Sequence, residues 1–260
     1  MARIKANDVM QFIERGNCRM YLKKQFELSS NNDGVEDPNN DGVEEPFVSL
    51  DPALAKAGTD FEIEVIDTYL GNYPRVDDLQ IMVHENAIQR LSREYANGTI
   101  IEYYSWSNLI EAIHRIPNGS AFFMDEVELP NDTYLANTNH TIRGRIDLVL
   151  VDKDEHGHIS IRIIEMKRSK KSKVGQLYQL ATYRLAIENS IESSGSISMF
   201  GPLLNSDRLT FHLLTRDEDG APQNPLEIEH RPLNREVSNL RLWMEPGGLF
   251  DTIESTSITD

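Results

Sequence analysis

The sequence predicts an α/β fold in which helices pack against a central mixed sheet, and three observations carry that reading. Residues 143–151, RGRIDLVLV, alternate apolar and polar side chains, and 159–166, ISIRIIEM, follow across a turn containing Gly157, which reads as a hairpin. A preceding strand is expected over 120–129, SAFFMDEVEL, and a helix over 174–189, VGQLYQLATYRLAIEN. A further strand at 208–215, RLTFHLLT, completes the order helix, three strands, helix, strand.

The other elements fall around this centre. Residues 6–27 read as an amphipathic helix whose stripe is Val9, Phe12, Ile13, Met20 and Tyr21, broken near Gly16. A tandem copy follows, NNDGVEDP at 31–38 and NNDGVEEP at 39–46, and its composition predicts a flexible acidic loop over 29–48. Asp37, Asn39, Asp41 and Gly42 match the opening of a calcium loop, but its twelfth position is Val48 where a bidentate glutamate is needed. No calcium site is expected there. Helices are expected over 52–69, 76–95 and 105–115, then, past the core, a strand at 226–231 and a helix at 233–244. The end, 250–260, reads as a frayed tail. At 260 residues the chain suits a single domain, 1–260, elaborated at its N-terminal side by helices.

Composition narrows the function. The formal net charge of -16 excludes a generally basic nucleic-acid coat. No run approaches the roughly 18 apolar residues that span a bilayer, and no secretory leader is evident, so a cytoplasmic protein with no membrane partner is expected. Cys18 is the only cysteine, which rules out an internal disulfide or a cluster held by several thiolates. Against this acidic background, four of the nine lysines fall between Lys167 and Lys173, beside Arg168. Attraction to phosphate is local, screened within roughly 8–10 Å, so such a run can serve a focused site.

The strand pattern places candidate chemistry beside that run. Side chains repeat every two residues, so Ile146, Leu148 and Leu150 share one face while Asp147 shares the other with Val149 and Val151. Ile161, Ile163, Glu165 and Lys167 share a face of the next strand, and antiparallel pairing brings Asp147 near Glu165. Two carboxylates about 4 Å apart repel by roughly 4 kcal/mol at an effective dielectric near 20. A cation or a proton must resolve such a pair. A divalent metal does so with hard oxygen ligands, and the bland alternative is a Glu165–Lys167 salt bridge at a sheet edge.

GRID, Gly144 to Asp147, and Glu165-Met166-Lys167 at the end of the following strand resemble the motifs of the PD-(D/E)XK nuclease superfamily. Asp147 corresponds to the isolated aspartate, and Glu165 and Lys167 to the E-x-K pair, although Ile146 replaces the proline. QLATY, Gln179 to Tyr183, resembles the Q-x-x-x-Y signature of the RecB-type branch, which includes CRISPR-associated exonucleases. KAGTDFEIEV resembles that branch's first-helix motif, with Glu62 four residues after Gly58 and Glu64 the alternative. Where relatives hold an iron–sulfur cluster with four cysteines, this chain lacks three of them. The resemblance implies a metal-dependent deoxyribonuclease, exonuclease-like, using Mg²⁺ or Mn²⁺ and no iron–sulfur cluster. Glu62, Asp147 and Glu165 would hold the metal, Lys167 would assist the attacking water, and Gln179 and Tyr183 would position the strand or the motif itself. Arg168, Lys170, Lys171, Lys173 and Gln176 would contact nucleic acid, either single-stranded DNA or DNA ends.

His156 and His158 flank a turn with no third ligand evident, and His140 is expected in a polar loop. No phosphate-gripping glycine-rich loop or helicase motif is present, so any motor in a repair or defence complex would be a separate helicase. The rival reading is a non-catalytic nucleic-acid-binding or assembly subunit that retains the fold.

Overall fold

The N-terminal part of the chain supplies β1 (Ala2–Lys5), α1 (Ala6–Glu14), α2 (Arg19–Ser30) and α3 (Pro52–Tyr69). The hairpin strands β2 (Leu91–Glu94) and β3 (Ile100–Tyr103) come next, then α4 (Trp106–Arg115). The centre comprises β4 (Ser120–Glu128), β5 (His140–Arg143), β6 (Arg145–Lys153), β7 (Ile159–Met166), α5 (Val174–Ser194) and β8 (Leu209–Leu214). It is closed by β9 (Leu226–Ile228), α6 (His230–Met244) and α7 (Leu249–Ser255). This computed structural model describes residues 2–17, 19–30, 52–71, 73–79, 88–94, 100–130, 140–167, 169, 174–194, 202–203, 206–217 and 219–255. The repeat segment 31–48, the cations Arg168, Lys170, Lys171 and Lys173, and the tail 256–260 lie outside the described residues.

Five strands form the central sheet in the order β4-β6-β7-β8-β9. The β4–β6, β6–β7 and β8–β9 pairs are antiparallel, and β7–β8 is parallel. That single parallel pair is what makes α5 necessary, since a parallel connection needs a crossover. The expected mixed α/β core, with helices on the sheet, is therefore present. Two separate hydrophobic clusters cover the two faces. The larger contains Phe122, Met124, Val149, Val151, Ile161 and Ile163 beneath α5 residues Leu180, Ala181 and Leu185. The smaller joins Phe61 and Val65 of α3 to Phe123, Leu148, Leu150, Ile164, Met166 and Leu214.

Local chemistry explains several boundaries. Gly16 and Asn17 have φ of 68° and 63°, a left-handed pair that ends α1 and redirects the chain into α2. Ser105 caps α4 by accepting from the Asn108 N–H at 3.2 Å, and the Asn108 side chain accepts from the Ser105 N–H at 3.0 Å. Helix α5 is buried around most of its circumference between the sheet, α1 and α6, so its apolar residues are spread over all its faces and polar side chains such as Gln176, Gln179, Thr182 and Arg184 are buried with them.

Four expectations are corrected. Residues 76–95 do not form one helix: 76–78 is a single 3-10 turn, and Leu91–Glu94 pairs antiparallel with β3. The cross-strand contacts of that hairpin override the local helical pattern. His140 is not in a polar loop but in β5, which pairs in parallel with β1, and its side chain is fully buried. Ser29 and Ser30, assigned to the flexible loop, close α2. At the other end, residues 249–255 are helical with Phe250 and Ile253 buried, where a frayed tail was expected from 250.

Gly175 provides a test of this packing. A Cβ there would lie 2.8 Å from the Met10 carbonyl oxygen and 2.7 Å from Glu14 Cγ. Alanine normally stabilises a helix interior by roughly 1 kcal/mol over glycine. Gly175→Ala should nevertheless lower stability by about 1–3 kcal/mol in denaturant titrations, because α1 must move off α5. A gain in stability would contradict the close α1–α5 approach.

Candidate active site

Register sets the positions of three carboxylates at one end of the sheet. In the β6–β7 ladder Leu148 faces Ile164 and Val149 faces Ile163, and the same register carried one step further puts Asp147 opposite Glu165. The ladder opens there, and Asp147 Oδ2 accepts from the Met166 N–H at 2.6 Å. In the β4–β6 ladder Asp125 faces Leu148 and Val127 faces Ile146, bracketing Glu126 opposite Asp147. Glu126 has φ 53°, while Tyr104 donates its N–H to the Glu126 carbonyl at 3.0 Å and accepts from the Glu128 N–H at 2.8 Å. Both strands turn over at this pair. Val149 and Ile146 pack into the same larger core although they are an odd number of residues apart, as are Met124 and Val127 on the partner strand. The expected common face of Ile146 with Leu148 and Leu150 is therefore corrected, since strict alternation fails where the ladder opens.

Glu165 is the innermost member, with 0% exposure. Its Oε1 makes an ion pair with Lys167 Nζ and has no other hydrogen-bond donor among the described residues. Its Oε2 lies 2.7 Å from the Tyr183 hydroxyl, which is also 2.7 Å from the Arg145 carbonyl and can donate its proton to either. Gln179 Nε2 donates to the same hydroxyl at 2.9 Å, leaving Gln179 Oε1 buried without a donor among the described residues. The helical spacing of Gln179 and Tyr183 thus assembles a hydrogen-bonded pair behind the carboxylate. Gly144 gives this pair room: a Cβ there would sit 3.1 Å from Leu129 Cδ1, 3.2 Å from Ala6 Cβ and 3.6 Å from Tyr183 Cε1. Gln176, expected at the nucleic-acid surface, is only 3% exposed and donates to Ser169 Oγ at 3.3 Å. It tethers the segment that follows Lys167.

Glu62 enters from α3 on the opposite side of the sheet. Burial, then Glu126, pushes its carboxyl up to about 7, with Glu165 adding to the rise and Lys167 and Arg145 opposing it. Asp147 keeps some exposed surface, yet close enclosure by protein, followed by the Glu165 charge, holds its carboxyl well above the usual range. Burial raises Glu126 as well, against the pull of Arg145, whose Nη1 lies 3.2 Å from Glu126 Oε2. Burial disfavours the Lys167 ammonium, but Glu165 and Asp147 outweigh it and hold the side chain charged. Four acids and one ammonium therefore share a site with an excess of negative charge.

The sequence profile of the PD-(D/E)XK nuclease superfamily matches residues 78–239. The chain belongs to the PD-(D/E)XK nuclease superfamily. No curated protein sequence matches it significantly. Members of this superfamily are usually nucleases that use divalent metals, and the donor set here fits such an ion. Among the described residues Glu165 Oε1 is a buried acceptor served only by an ammonium, and the neighbouring carboxyls are raised by burial and crowding that a dication relieves. The site is not a closed cage. Among the described residues, the three-residue group of ligand atoms all within 4.8 Å of one another is His140, Asp251 and Glu254, which includes none of these acids. An open site with one or two carboxylates, completed by water and phosphate, is what Mg²⁺ favours. His156 and His158 form no such group: His158 Nδ1 lies 2.9 Å from Asp154 Oδ2 in the turn itself.

Glu126 is the member that sequence reasoning missed. Its signal was the three acids in Asp125-Glu126-Val127-Glu128 at the end of a buried strand, where an acid facing Asp147 has no obvious structural use. The pH dependence of stability reads out this crowding. An acid raised from about 4.5 unfolded to about 7 folded stabilises the protein below the lower value and loses that contribution as pH rises through the upper. Without metal, stability should fall as pH rises from about 5 to about 8, and Glu62→Gln should flatten part of that fall. Denaturant melts in a chelator across this range measure it. Parallel curves for parent and variant would place Glu62 outside the cluster.

Proposed function

We propose that the protein is a metal-dependent deoxyribonuclease of RecB type, acting exonucleolytically on single-stranded DNA or DNA ends with Mg²⁺ or Mn²⁺. The observation that carries this reading is the enclosed Glu165, gripped by Lys167 on one oxygen and by Tyr183 on the other, directly across the ladder from Asp147. Asp147 and Glu165, with Glu62, would hold the ion. When bound, such an ion supplies Lewis acidity and charge neutralisation at the phosphodiester. Lys167 retains its proton, so it serves as a donor and positive charge, orienting the attacking water or stabilising charge on the phosphate oxygens, rather than as a base. Tyr183, braced by Gln179, fixes the rotamer of Glu165. Gln176 anchors Ser169, in the segment whose cations Arg168, Lys170, Lys171 and Lys173 contact the phosphate backbone. The excess of acid elsewhere keeps the contact confined to that segment. We place the activity in the cytoplasm, with unwinding left to a separate helicase.

Asp147→Asn, Glu165→Gln and Lys167→Ala should each reduce cleavage of end-labelled single-stranded DNA by about 10²–10³-fold in Mn²⁺. Circular single strands should resist the parent. Unchanged cleavage in all three variants would overturn the assignment, and cutting of circles would replace exonuclease with endonuclease.

A further inference from the structure

Ser169, two residues after Lys167, has a neighbour on the adjacent strand end. Arg216 lies two residues beyond β8, and its backbone N–H donates to the Ser169 carbonyl at 3.4 Å, while the Lys167 N–H donates to Leu214 at 2.8 Å. Asp147, Glu165 with Lys167, and Arg216 therefore stand at the ends of three successive strands. Strands are about 4.8 Å apart, so Arg216 is about one strand spacing from the chain that leaves Lys167.

The guanidinium is built into place. Its carbon lies 4.6 Å from the centre of the Phe61 ring, and Nη1 donates to the Gly220 carbonyl at 2.5 Å. The turn that supplies Gly220 is itself braced, with Asp217 N–H donating to Ala221 O at 2.8 Å and Asp217 Oδ1 accepting from the Ala221 N–H at 2.8 Å. Nη2 donates to Glu64 Oε2 at 3.2 Å, whereas Nε is buried with no acceptor among the described residues. Nε and Nη2 form one edge of the guanidinium fork, and a single carboxylate oxygen fills half of it. The Glu64 side chain is 41% exposed, and exposed ion pairs of this kind are weak and readily exchanged. A phosphate offers two oxygens to the same edge and matches the fork bidentately. Helix α3 thus sets Glu62 toward the acid cluster and Glu64 onto Arg216, on either side of the buried Phe61 and Val65.

We propose that Arg216 binds a phosphate of the DNA strand beside the scissile position, and that Glu64 holds its fork in readiness and is displaced when DNA arrives. This rests on the nuclease reading above, since it names a further phosphate contact of the same site. The effect is on strand positioning: Arg216 touches the backbone, not the reacting atoms.

Fluorescence anisotropy with a labelled single-stranded oligonucleotide, in chelator over about 50–300 mM salt, tests it. Arg216→Gln should weaken binding and lower the slope of log K against log salt by about 0.7, the value for one lost contact to a single strand. Arg216→Lys should keep the slope while binding less tightly, a rescue that a merely structural role would not produce. Glu64→Gln should tighten binding, and the gain should vanish in the double variant with Arg216→Gln. In Mn²⁺, Arg216→Gln should raise KM with kcat unchanged. An unchanged slope for Arg216→Gln, or weaker binding by Glu64→Gln, would overturn the proposal. If cleavage still depends on Asp147 in that case, the nuclease reading stands without it. A parent that neither binds nor cleaves the strand would contradict both.

Discussion

The negative charge of Glu165, enclosed by protein, is the constraint on which the rest of the structure depends. A carboxylate taken from water into such a position needs hydrogen bonds and counter-charge, or it takes up a proton. Lys167 comes from the same strand, two residues on, and Tyr183 reaches from α5. For Tyr183 to arrive, α5 must lie tight against both the start of β6 and α1. Gly144 and Gly175 sit at those two approaches, where a methyl group would meet Ala6 and Leu129 or the Met10 carbonyl. The glycine of the GRID segment is thus a packing requirement against Leu129 and Ala6 beside the Tyr183 ring, not a turn residue.

One ammonium does not balance the four acids. Two unit charges about 4 Å apart interact by roughly 4 kcal/mol at an effective dielectric near 20, so each further carboxylate must be partly neutralised or pushed away. The fold does some of both. Arg145 takes Glu126, the opened ladder lets Asp147 accept the Met166 amide, and burial and crowding make Glu62 and Asp147 take up protons more readily than free carboxyls. The turnover of β4 and β6 at Glu126 and Asp147 serves the same end. A left-handed non-glycine residue costs about 1–2 kcal/mol, and Tyr104, bridging Glu126 and Glu128, holds it there. Strain and repulsion are concentrated at one sheet end, where a dication and a phosphate would relieve them.

How much of this was legible depended on the range of the interactions. Period-two alternation placed Asp147, Glu165 and Lys167 together, because strand register is a short-range property once the hairpin turn is known. Helical spacing likewise linked Gln179 and Tyr183, though not the carboxylate they support. Glu126 was hidden because its left-handed backbone breaks the alternation on which the reading relied. Gln176 reads as an amide in need of a partner, for which nucleic acid was expected, whereas the partner Ser169 is set by tertiary packing. Arg216 meets Glu64 across 152 positions of sequence, and no local pattern announces that pairing. The packed α7 was missed for the same reason, and the hairpin of β2 and β3 because its cross-strand pairs override the local helical pattern.

Calorimetric titration of the protein with Mn²⁺ near pH 6, repeated in buffers of different ionisation enthalpy, tests the central claim most directly. Carboxyls that hold protons because they crowd one another must release them when a dication binds. The apparent heat should therefore vary with the buffer and correspond to on the order of one proton released per ion, and Asp147→Asn should abolish both the binding and the release. Heat independent of the buffer, or an undiminished proton release in Asp147→Asn, would contradict a metal site made of these acids.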